Sequence, residues 1–161
     1  MKFKDFALKS DNHFVAMQYY GLILNRTFLV ILTNNELIGI KVNGLVSVES
    51  GGNIIAQEIS ATMTIRGDLQ NPYSYVKTKY IEKLQDVELL DGSILKQNKS
   101  NFIIKRADIK NAYYDQKKKW GMGYYPHDGK VYIETKDGQK QEFIILGNQS
   151  GHKIANFILT K

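Results

Sequence analysis

Residues 113–125 read Tyr-Tyr-Asp-Gln-Lys-Lys-Lys-Trp-Gly-Met-Gly-Tyr-Tyr, three consecutive lysines set among five aromatic rings. Two chemistries use that mixture. Tryptophan and tyrosine rings settle at a bilayer interface while lysines meet anionic head groups, at about 1 kcal/mol per lysine near a charged surface. Single-stranded nucleic acid stacks its bases on the same rings at roughly 1–3 kcal/mol each, and lysines neutralise its phosphates. A third role is structural: Tyr113, Trp120 and Tyr125 pack on the fold, and residues 117–119 form a charged turn that discourages edge-to-edge strand pairing. Burial of Trp120 distinguishes the third role from the first two.

The charge around this segment is concentrated. Residues 96–119 hold Lys96, Lys99, Lys105, Arg106, Lys110, Lys117, Lys118 and Lys119 against Asp108 and Asp115, a surplus equal to the +6 of the whole chain. A clustered positive field attracts anionic lipid, nucleic acid or an acidic protein patch, and it also serves as a solubilising face. The candidate contact set for an anionic partner is therefore Lys105, Arg106, Lys110, Lys117, Lys118, Lys119 and Trp120. Its strength depends on whether the strands bring Lys105, Arg106 and Lys110 beside the loop.

Other site chemistry is thinly specified. His13, His127 and His152 form no spaced ligand pair, so no metal is expected. His127 beside Asp128 suits a general base, but no nucleophile accompanies it, and a loop histidine is expected to be solvated. Gly121-x-Gly123 lacks the third glycine of a dinucleotide fingerprint and runs into Tyr-Tyr-Pro, where no helix begins, so no cofactor is expected. The carboxylate pairs Asp86/Glu88 and Glu134/Asp137 sit in strand or turn contexts typical of solvated faces. No catalytic residue is assigned, and the chain is expected to be a binding module and not an enzyme. The alternatives are a single-stranded nucleic-acid-binding protein and an enzyme whose site is assembled from residues distant in sequence.

Zero cysteines remove disulfides, thiolate metal sites and cysteine nucleophiles, and fit a reducing compartment. Residues 1–10 build no signal-peptide core. The most apolar stretch, residues 21–32, is broken by Asn25, Arg26 and Thr27 and falls short of the roughly 20 residues a membrane span needs. A cytoplasmic protein is expected, with peripheral contact at the inner face of the membrane as the form that membrane binding would take. Its length, 161 residues, suits one domain.

The elements that would position these residues are mostly strands. Aromatic and β-branched residues dominate 13–24 and 27–32, with Asn25-Arg26 as the turn. Residues 36–42 form a third strand, Leu37, Gly39 and Lys41 on one face and Ile38, Ile40 and Val42 on the other. Asn43-Gly44 predicts a tight turn into a fourth strand at 45–49. Residues 54–64 follow neither period. Asn71-Pro72 reads as a helix start, and the spacing of Val76, Tyr80, Ile81 and Leu84 predicts a helix over 72–85, packed on a sheet face or shielding an edge. Asp91-Gly92 marks a turn. Strands follow near Phe102-Ile103-Ile104 and over 109–116, with a bend at Ala107-Asp108, then a loop over 117–129. Residues 130–136 and 139–146 form a hairpin about Asp137-Gly138. Over 148–161, Ile154, Phe157 and Ile158, backed by Ala155 and Leu159, predict an amphipathic helix, worth on the order of 5 kcal/mol when its stripe is buried.

The stretch Phe28-Leu-Val-Ile-Leu-Thr-Asn-Asn-Glu-Leu-Ile-Gly-Ile-Lys41, the strand near Phe102 leading to Ala107-Asp108-Ile109, the segment from Val131 to Leu146 and the terminal helix together resemble bacterial pleckstrin-homology-like (PH-like) domains. The resemblance covers most of the chain outside residues 50–95, which would be an elaboration within one domain spanning 1–161. It implies a mainly β fold: an antiparallel sandwich or partly open barrel of seven strands, closed by a C-terminal α-helix, with an extra helix near 72–85. Ile154, Phe157 and Ile158 would form the plug. Function in such a family is the docking of a protein partner or an anionic membrane surface. The lipid-binding eukaryotic relatives concentrate basic residues in the first hairpin, whereas residues 14–24 here hold no Lys or Arg and the turn supplies only Arg26. Any anionic contact is expected at the basic aromatic loop instead.

Overall fold

The computed structural model describes residues 1–20, 24–42, 69–120, 122 and 126–160. Seven strands, β1 (His13–Tyr20), β2 (Leu24–Leu32), β3 (Glu36–Lys41), β4 (Phe102–Lys105), β5 (Ile109–Asp115), β6 (His127–Thr135) and β7 (Lys140–Leu146), pair antiparallel in the order β4-β3-β2-β1-β7-β6-β5. Laid flat, six strand spacings would hold β4 and β5 about 29 Å apart, yet the three residues Arg106–Asp108 that join them reach only about 14 Å. The sheet therefore curls into a half-barrel. Its four-stranded and three-stranded halves meet through a short ladder, Ala16 opposite Ile145 and Met17 opposite Ile144.

Curling creates an inside. Phe14, Phe28, Val30, Leu37, Val131 and Phe143 fill it. The helix α3 (Gly151–Leu159) closes it with Ile154, Ala155 and Ile158, and Phe157 packs partly buried, its ring 6.3 Å from that of Phe14. Ser150 caps this helix, its hydroxyl accepting the Lys153 N–H. The mainly β half-barrel with a terminal helical plug is the expected architecture, except that Leu159 leaves the stripe and is 46% exposed.

A second core lies on the outer face of β1–β3. Val15, Met17, Leu29, Ile31, Ile38 and Ile40 meet a layer that includes Phe3, Phe6, Tyr75, Ile81, Leu89 and Ile94. Strands covered on both faces read as continuous apolar runs, which is why residues 28–32 and 37–40 show so little polar alternation. Gly39 stands opposite Phe102 in the β3–β4 ladder and leaves room for its ring, which a Cβ there would displace and which packs 5.4 Å from Phe28.

Several boundaries differ from the sequence reading. Asn25 and Arg26 are strand residues opposite Tyr19 and Gln18, not a turn. The Asn43-Gly44 turn and the strand at 45–49 lie outside the described residues, and β3 pairs with β4. The helix expected over 72–85 is two pieces, a 3₁₀ turn (Pro72–Tyr75) capped by Asn71 and α1 (Thr78–Glu82). Val76 and Lys77 between them are extended, and the Lys77 N–H reaches the carbonyl of Val42, the residue after β3, at 3.3 Å, a bond that takes the place of a helical one. The layer packs on the sheet face. A further helix, α2 (Ser93–Gln97), follows Asp91-Gly92, where the Asp91 carboxylate accepts the Ser93 N–H at 2.8 Å. The loop after β5 is shorter than expected, because β6 begins at His127.

Candidate functional site

The chain turns immediately after β5. The Asp115 carboxylate accepts the Lys117 N–H at 2.9 Å, and the Lys130 ammonium on β6 lies 3.1 Å from its other oxygen. The backbone bond first, then Lys130, hold the Asp115 carboxyl below the usual carboxylate range. Two residues on, the Lys119 N–H donates to His127 Nε2 at 3.1 Å, and the Lys119 ammonium reaches Glu142 on β7 at 2.5 Å. Glu142 also accepts the Tyr132 hydroxyl at 2.7 Å. Burial alone would raise its pKa; the bonds from Lys119 and Tyr132 outweigh burial and hold it below the usual range.

His127 is therefore a buried hydrogen-bond acceptor at the root of the loop and not a solvated side chain. Met122 then returns into the outer core. Between the anchors at Lys119 and Met122 stands Trp120, 93% exposed. Lys117 and Lys118 are exposed and in no ion pair among the described residues. Trp120 does not pack on the fold, contrary to the structural role weighed for it above, and Tyr125 lies outside the described residues.

The remaining candidates are not brought to this loop. Lys110 is the second residue of β5 while the loop follows its end, and the strand residues 111–115 between them hold the two roughly 20 Å apart, well beyond a screening length of about 8 Å. Lys105 and Arg106 precede Lys110 and sit at that same far end. Arg106 already has partners. Its guanidinium donates to the carbonyls of Thr33, Phe157, Ile158 and Thr160, tying the last turn of α3 to the β2–β3 turn. The candidate contact set is thus divided between the two ends of β5.

Family models, curated proteins and solved structures offer no match to this chain.

Next to the loop, the outer face of β5–β7 carries residues that sequence reasoning did not assemble. Tyr113 and Tyr132 stack with ring centres 5.1 Å apart, and the Lys140 ammonium lies 4.5 Å from the Tyr132 ring centre while donating to the Tyr113 hydroxyl. Lys140 also pairs with Glu134 at 3.4 Å. The ion pairs Lys119–Glu142, Lys130–Asp115 and Lys140–Glu134 tie the loop and neighbouring strands of this face together, while at the loop Lys117 and Lys118 stand exposed in no ion pair among the described residues. The signal was present in the Asp137-Gly138 hairpin. That register sets Tyr132 opposite Glu142 and Glu134 opposite Lys140.

Proposed function

We propose that the chain is a non-catalytic binding module of the PH-like type, and that residues 117–120 dock it on an anionic membrane surface. The observation that carries this reading is Trp120, 93% exposed on a loop anchored on both sides, next to two unpaired lysines. Leaving an indole in water forgoes about 2–3 kcal/mol of burial, and an interfacial location recovers part of it while the ring N–H stays wet. Lys117 and Lys118 supply the attraction to anionic head groups. The strand order and the plugging helix favour membership among PH-like domains. The pairing of Lys119, Lys130 and Lys140 with carboxylates on neighbouring strands favours a scaffold role for those charges over convergence on a reacting group. Among the described residues no helix is long and apolar enough to cross a membrane, so the contact proposed is with the surface.

The test is co-sedimentation with vesicles of phosphatidylserine and phosphatidylcholine, with pure phosphatidylcholine vesicles and a single-stranded oligonucleotide as the other arms. Binding is expected only to the anionic vesicles and should weaken as salt rises. Lys117→Gln with Lys118→Gln should lower it about 30-fold, at about 1 kcal/mol per lysine. Lys119 is left in place because removing it would unpair Glu142. Equal binding by parent and double variant, or preference for the oligonucleotide, would overturn the reading.

A further inference from the structure

At the end of β5 away from the loop, the N-terminal segment, the β2–β3 turn and α3 enclose a groove of about 950 Å³. We propose that this groove takes an acidic, amphipathic peptide segment of a partner protein, a contact separate from the membrane-docking loop. Its apolar floor and rim come from Phe6 and Phe157, with the half-exposed Met1 and Leu90 beside them. Exposed apolar side chains gathered around a cleft mark a surface meant to be covered.

Charge and amide chemistry identify the occupant. Lys9 and Lys153 stand exposed on opposite walls, in no ion pair among the described residues, and Asp11 is the one acidic side chain in the lining. Arg106 closes the end of the groove with a guanidinium fixed on backbone carbonyls, adding to the positive field. The field calls for carboxylates. Asn34, Asn35 and Asn156 also line the groove, and their amides match the N–H and C=O groups of a peptide backbone. An acyl chain would desolvate those amides without pairing them, at a cost that disfavours a fatty acid in the same space. α3, nine residues and about 13 Å long, forms one wall, a length that about two and a half helical turns of a bound segment would cover.

The test follows backbone amide resonances of the full chain during titration with a 12-residue model peptide of Leu and Glu at helical spacing, and with its Leu and Lys counterpart. The Leu/Glu peptide should shift Lys9, Asn34, Lys153 and Asn156, and the Leu/Lys peptide should not. Lys9→Glu with Lys153→Glu, both on exposed side chains, should weaken the first peptide at least tenfold and admit the second. Trp120→Ala should leave peptide binding unchanged, which separates this site from the loop. No shifts at the groove, shifts only at residues 117–120, equal binding of both peptides, or preferential binding of dodecanoate at the same residues would overturn the proposal.

Discussion

One curled sheet presents two outer faces that are treated in opposite ways. Over β1–β3 the outer face is apolar and covered by Phe3, Tyr75, Ile81, Leu89 and Ile94. That cover extends onto Ile144 and Leu146 of β7, whereas over β5, β6 and the start of β7 the outer face carries stacked tyrosines and paired charges and adjoins the loop that bears Trp120. The difference shows that the layer formed from the N-terminal segment and residues 69–97 selects a face: it covers the β1–β3 side of the sheet and leaves the β5–β6 side open. Under the docking role proposed above, the contact falls on the uncovered side, beside the projecting indole.

Truncation on the two faces should separate them in size. Leu89→Ala opens a cavity at a fully buried position of the covered face and should cost about 2–5 kcal/mol, measured as a fall in the urea midpoint at constant slope. Tyr132→Ala on the open face removes a stacked pair and a hydroxyl contact to Glu142, and should cost roughly 0.5–1.5 kcal/mol by the same measurement. Equal costs would mean the open face is as much a core as the covered one, and the comparison would fail.

The same contrast explains how far the sequence was readable. The first three strands, the Asp137-Gly138 hairpin and the terminal helix follow from local period and turn chemistry, although the first turn falls before Asn25 and the strand expected at 45–49 lies outside the described residues. Asn25 and Arg26 misled because polar residues near a strand end can point outward without turning the chain. The break at Val76 was invisible because the next residue, Lys77, bonds the carbonyl of Val42, which follows β3 and is far off in sequence. At the loop, composition singled out Trp120 and the lysines but had no means of ranking them. Lys119 is consumed by Glu142, 23 residues away, and Arg106 by the end of a helix about fifty residues on. Lys105 and Lys110 stay exposed but stand at the far end of β5, so among the described residues Lys117 and Lys118 are the candidates that are both at the loop and in no ion pair.

Acid stability sharpens the comparison further. The Glu142 carboxyl titrates below its usual range in the folded protein, so its pairing adds stability that is present above the unfolded-state pKa. That contribution is lost as pH falls through the lower, folded-state value. Urea midpoints of the parent should therefore drop across the acid side of the carboxylate range. Glu142→Gln should start less stable at neutral pH, with Lys119 unpaired, and lose less over that window. Parallel curves for the two proteins would mean that the Lys119–Glu142–Tyr132 network contributes nothing to holding the loop.

The smallest expected effect on stability is at the most exposed side chain. Trp120→Ala removes no packing, so its urea midpoint should match the parent within about 0.5 kcal/mol, and a larger loss would place the indole against the fold. Trp120 is also the single tryptophan of the chain, so the emission of the unmodified protein reports on this position alone. In buffer it should emit at the wavelength of a fully hydrated indole and be quenched freely by acrylamide. On adding phosphatidylserine-containing vesicles the emission should shift to the blue and lose access to the quencher, because the ring enters the interface. Pure phosphatidylcholine vesicles should leave both signals unchanged, since two lysines then have no anionic surface to meet. An indole already blue-shifted in buffer would mean that the open half of the sheet is covered like the other. An indole that stays hydrated on anionic vesicles would leave the loop a solvated projection with no membrane role.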